Sequence, residues 1–138
     1  MQTFLINTFL LASVGVTFEI IFTSITTFSR KRDQSFKGYS YLWMLPIYAL
    51  VYPTLTLLWP FIHDWLFLLR GLLYIILIYI AEYSTGWLLR QMLGKCPWEK
   101  DYIGKQWAIN GLIRLDYAPA WFITALLFEY LYLFLRFK

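Results

Sequence analysis

The sequence predicts an all-α, polytopic membrane protein: four transmembrane helices with a short interfacial segment before the fourth. Three observations predict it. Only 14% of the residues are charged, and mean hydropathy is +0.57, whereas a soluble domain keeps about a quarter of its residues charged to face water. The charges are bunched, which leaves four apolar runs near the length of roughly 20 residues that a helix needs to cross a bilayer core. Seven tryptophans and eleven tyrosines also crowd the ends of these runs. Tyr39, Tyr41, Trp59, Trp65, Trp98 and Trp107 read as an aromatic belt at the membrane interfaces.

The first span runs from Thr3 to Phe28 and stops at the basic cluster Arg30, Lys31, Arg32. It lacks the basic start of a signal peptide and runs past the length of its apolar region, so it is expected to be retained. The second span, Tyr41 to Phe61, carries Pro46, Pro53 and Pro60 seven residues apart. Seven residues is nearly two helical turns, so the prolines share a face, and each removes a backbone hydrogen bond and bends the helix. The third span, Trp65 to Leu93, meets Gly94 as a stop. The fourth runs from Tyr117 to Phe137. At 138 residues the chain is expected to form a single transmembrane domain (1–138).

Nine of the twelve basic residues lie beside the first and third loops: Arg30, Lys31, Arg32, Lys37, Arg90, Lys95, Lys100, Lys105 and Arg114. The opposite side holds Arg70, Arg136 and Lys138. The positive-inside rule then puts loops 29–40 and 94–116 in the cytoplasm and both termini on the other side. Basic residues at span ends explain the net charge of +4 without nucleic acid as a partner. Loop 94–116 interleaves Trp98, Tyr102 and Trp107 with lysines, a pattern suited to the headgroup layer. It is expected to form an interfacial helix around Gln106 to Ile113.

Three spans hold an interior acid: Glu19, Glu82 and Glu129. Counted from the cytoplasmic ends of antiparallel spans, Glu19 and Glu82 both lie about 15 Å deep. A carboxylate there costs on the order of 3 kcal/mol and calls for a partner or a proton. Ala12, Gly15, Glu19, Thr23 and Thr26 form one small, polar stripe, and Tyr79, Glu82, Gly86 and Arg90 form another with Tyr83 alongside. Small residues permit close approach and polar ones hydrogen-bond across it. Glu19 and Glu82 are therefore expected to share a cluster, with Arg90 or Arg114 as counter-charge. The cluster is either a structural lock or a site for a proton, cation or amine.

Other chemistry has little to stand on. His63 is the only histidine and has no positioned serine, and two-histidine haem ligation is impossible within one chain. A metal site would have to use carboxylates, and nothing in the spacing demands one; the sequence leaves the cofactor unknown. Cys96 is the only cysteine, so no intramolecular disulfide forms, and it reads as a packing residue.

The segments "EIIFT" from Glu19, "SYLWMLPIYAL" from Ser40, "YIAEYSTGWLLR" from Tyr79, "CPW" from Cys96 and "GLIRLDYAPAW" from Gly111 carry a resemblance. In this order they resemble the transmembrane protein 229 family and its bacterial relatives, the CmpB-like ABC-transporter type IV proteins. The family tends to continue C-P-W directly into Asp-Tyr, whereas Glu99-Lys100 intervene here. The resemblance implies a small polytopic membrane protein and carries over no catalytic residue.

The leading expectation is a non-enzymatic membrane protein, permease-like or a ligand- or ion-binding component, centred on the intramembrane carboxylates. The runner-up is a structural or accessory subunit of a larger membrane complex, and a lipid-modifying enzyme comes third. Four spans are few for a transport path, so a homo-oligomer or a larger complex is expected within the bilayer. The sequence contains no G-x-x-x-x-G-K-[ST] phosphate-binding loop, so ATP would be used by a partner.

Overall fold

A computed structural model describes residues 1–32 and 34–137, with Lys31 described by its backbone alone. The predicted position of Lys138 opposite the cytoplasmic loops falls outside the described residues, as does the Lys31 side chain. Helix accounts for 74% of the described residues. Four helical segments are long and apolar enough to cross a membrane: Gln2–Arg30, Met44–Ile62, Phe67–Leu93 and Leu115–Arg136. The elements are α1 (Gln2–Lys31), α2 (Met44–Ala49), α3 (Val51–Ile62), α4 (Phe67–Leu93), α5 (Glu99–Tyr102), β1 (Ala108–Ile109), β2 (Ile113–Arg114), a 3-10 turn (Leu115–Tyr117) and α6 (Ala118–Arg136). They fall into two compact units, Met1–Leu57 and Leu58–Phe137.

The second span is two helices rather than one bent helix. Pro53 has no N–H for the carbonyl of Ala49, so the ladder lapses at Leu50. It restarts where the Thr54 N–H reaches the Leu50 carbonyl at 3.0 Å. Pro46 and Pro53 each stand third in their helices, where an N–H would lack an intrahelical acceptor anyway.

In the first unit the chain leaves α1 through Arg32, in a left-handed conformation at φ 53°. It then runs back along the helix it has just left. Phe36 stacks on Phe28 with ring centroids 4.7 Å apart. Ser24 donates to the Phe36 carbonyl at 2.5 Å, and the Tyr39 N–H donates to Thr23 Oγ1 at 2.8 Å. Gly38 lies flat against the Ile20 backbone, where a Cβ would come within 2.0 Å of the carbonyl oxygen. Only then does α2 begin, with the Tyr48 ring seated on Gly15. Tyr52 of α3 closes the unit by accepting from Asn7 Nδ2 at 3.0 Å.

The second unit repeats this plan with a longer return. Gly94 ends α4 at φ 76°. The chain forms α5 and then a hairpin pairing Ala108 with Arg114 and Ile109 with Ile113. Where an interfacial helix was expected over Gln106 to Ile113, the hairpin stands. Asn110 and Gly111 both adopt positive φ (53° and 67°), the geometry of the tight turns for which Asn-Gly is preferred. The hairpin lies along α4: Gly86 leaves room for Trp98 and Leu112, either of which would meet a Cβ there at 2.9–3.0 Å. Tyr79 donates to the carbonyls of Arg114 and Leu115 at 3.0 and 3.1 Å. α6 starts just beyond, so about 21 Å of α4, from Tyr79 to Leu93, is flanked by loop and hairpin.

The core of each unit is thin. Leu11, Ala12, Tyr48 and Leu55 are buried in the first unit, and Trp98, Leu112, Phe128 and Tyr132 in the second. Leu5, Ile21 and Ile25 in one unit, and Leu72, Ile76 and Leu127 in the other, are exposed on the outer helix faces.

Candidate functional site

Glu82 sits on the inward face of α4 and is 5% exposed. Its helical neighbours one turn either way define its setting. Tyr79 bonds the loop carbonyls at the base of α6, and Gly86 takes Trp98 and Leu112. The folded-back segment therefore reaches this face of α4 on both sides of Glu82. Tyr83, beside Glu82, accepts from Asn110 Nδ2 at 2.9 Å. Carboxylate, phenol hydroxyls and non-helical backbone are thus gathered along one strip of α4.

Glu19, in the other unit, is half-buried and accepts from Ser40 Oγ at 3.1 Å. Thr23, one turn on, holds the Tyr39 N–H. The two units thus each place a carboxylate 11 or 12 residues before the end of their long helix. Ser40, which bonds Glu19, and Arg114, whose carbonyl bonds Tyr79, each stand four positions before the return helix.

Glu129 has a different environment. Arg70 Nε and Nη2 each donate to its carboxylate at 2.9 Å, and Tyr74 donates at 2.5 Å. Arg70 Nη1 also donates to the Trp65 carbonyl, and the guanidinium lies 5.7 Å from the Trp59 ring centroid. The pair is bidentate and its carboxylate is 6% exposed. This is a lock between α4 and α6 at the end remote from the hairpin.

The basic residues expected beside Glu19 and Glu82 hold other acids. Arg90 Nη2 donates to Glu99 at 2.9 Å and to the Asn110 carbonyl at 2.6 Å. Arg114 pairs with Asp116 and donates to Tyr117 at 2.7 Å. Arg90 thereby ties both arms of the loop to α4, and Glu99 also accepts the Cys96 N–H at 3.1 Å. The small stripes likewise found different neighbours: Gly15 admits Tyr48 of α2, and Gly86 admits the loop. Glu19 and Glu82 belong to different units.

Sequence reasoning missed Arg70 as the partner of Glu129. The signal was available, because both lie toward the same ends of antiparallel spans, the criterion applied to Glu19 and Glu82. It also missed Glu99, although Glu99 and Arg90 flank the helix stop at Gly94. His63 and Asp64 pair at 3.2 Å on an exposed turn. Among the described residues no three His, Cys, Asp or Glu side chains come together as a metal set.

Cys96 is 2% exposed, and burial pushes its thiol above the ordinary value. An impermeant maleimide is expected to leave it unlabelled in intact and in permeabilised cells, with labelling only after denaturation. Labelling of the native protein would contradict the packing of Cys96 beneath the loop.

Comparison with known proteins gives two results. No solved structure matches the chain. Residues 6–136 match the family described as "Putative ABC-transporter type IV".

Proposed function

Since the chain belongs to that ABC-transporter type IV family, we propose that it is a non-enzymatic membrane component of a transport system that binds a proton, cation or amine at Glu82. One observation carries the reading: a carboxylate 5% exposed lies on the strip of α4 that the folded-back segment reaches on both sides of it. At membrane depth, irregular backbone is tolerated where it is buried in protein or lines a cavity, and transporters bind ions at such interruptions. An ionisable side chain within a span is by default a candidate for function. The resemblance to the transmembrane protein 229 family supports a polytopic membrane role of the same kind. Nucleotide use would fall to a partner subunit within a larger complex or homo-oligomer. The basic loops 29–40 and 94–116 face the cytoplasm in this reading.

The bidentate Arg70–Glu129 lock favours the second reading, an accessory subunit whose acids fix helix register. Glu82→Gln separates the two. It keeps the size and much of the hydrogen bonding of the side chain while removing its charge. Thermal melts of purified protein in sodium, potassium, calcium or spermidine salts, from pH 5 to 8, provide the readout. A binding role predicts that at least one salt stabilises the wild type in a concentration-dependent manner. The variant is expected to melt normally without that salt and to lose the response. A variant that responds like the wild type would remove Glu82 from the site.

A further inference from the structure

Independently of Glu82, we propose that segment 95–109 is a docking surface for anionic phospholipid headgroups. The loop builds a small core of its own: Cys96, Trp98, Tyr102, Leu112 and Ile113 are all buried. Its acids are turned inward or paired. Glu99 holds Arg90 and the Cys96 N–H, Asp116 holds Arg114, and Asp101 is half-buried. Its lysines, Lys95, Lys100 and Lys105, are all exposed.

Beside them stand apolar side chains that the fold leaves uncovered: Ile103 is 62% exposed, Trp107 56% and Ile109 40%. Lysines next to an open tryptophan and two isoleucines match the two layers of a leaflet surface, phosphate above and acyl chain below. The Leu115 N–H donates to the Trp107 carbonyl at 3.0 Å, which holds the Trp107 backbone against the start of α6. Charge complementarity commits the surface to a lipid carrying net negative charge.

The test uses full-length protein purified in mild detergent. It is incubated with equal amounts of dioleoyl phosphatidylglycerol and dioleoyl phosphatidylcholine and examined by native mass spectrometry. A basic residue beside an anionic surface is worth about fivefold in binding, so the wild type is expected to retain the phosphatidylglycerol at least about tenfold in preference. The triple variant K95Q/K100Q/K105Q should retain the two lipids equally, with an unchanged melting curve. Glutamine keeps most of the length of each exposed side chain, so the variant is expected to keep its fold. Trp107→Ser should lower retention of both lipids and preserve the preference. Equal retention by the wild type would overturn the proposal. So would a triple variant that keeps the full preference, since the lipid would then be held elsewhere on the chain.

Discussion

Replacing Arg70 with alanine is expected to destabilise the protein by about 3–5 kcal/mol, the cost of leaving one member of a buried ion pair behind. Glu129 would keep the Tyr74 hydrogen bond but lose both guanidinium contacts. Glu129→Ala should be comparably severe, because it strands Arg70 beside Trp59. The double variant Arg70→Met with Glu129→Leu is the informative one. Removing both charges and filling their volume returns much of the loss, and such replacements are often neutral or stabilising. Equilibrium unfolding in mixed micelles of the wild type, Arg70→Met, Glu129→Leu and their double variant, compared as a cycle, measures the coupling. Losses that merely add would mean that the pair contributes nothing beyond its separate side chains.

Gly38→Ala is expected to be the most damaging single methyl group in the first unit. Its Cβ would lie 2.0 Å from the Ile20 carbonyl oxygen, and a backbone atom in a helix cannot swing aside as a side chain can. The loop must lift from α1, loosening the Thr23–Tyr39 and Ser40–Glu19 hydrogen bonds together. A loss of about 3 kcal/mol follows from overpacking a tight site. Gly94→Ala is the control: its φ of 76° makes a Cβ costly, but no atom lies within 4 Å of it, so only about 1 kcal/mol is expected. Hydrogen exchange over residues 34–43 should accelerate in Gly38→Ala and stay unchanged in Gly94→Ala. Unchanged exchange in both would show that the loop does not depend on this contact.

The spans were legible because hydropathy over 20 residues is a strong, redundant signal, and the stop at Gly94 follows from its backbone freedom. The break at Leu50 was half legible. Three prolines announced a bend, but periodicity alone does not tell a kink from a lapse in the ladder. Gly15 and Gly86 announced close approach without naming what approaches. A small residue records the absence of a side chain, and Tyr48 or Trp98 fills that space as readily as a facing helix. Asn110-Gly111 was legible as a turn, yet the basic and aromatic residues around it read as an amphipathic helix. The contacts of Ser40 and Glu99 were not legible, because irregular loops have no period to betray their register. Depth matching would have found Arg70 and Glu129 if every charged residue in antiparallel spans had been compared.

The lock between α4 and α6 also has an order in time. Synthesis runs from the N-terminus, and Arg70 precedes its carboxylate by 59 residues. Arg70 therefore enters the bilayer unaccompanied. Three residues from the start of α4, it can snorkel to the interface while it waits. Glu129 is set farther from its helix end, with seven residues still to follow in α6, and a short acidic side chain cannot reach water from there. By the time it leaves the ribosome, a guanidinium is already in place to receive it. The residue that tolerates solitude is made first, and the one that does not is made last.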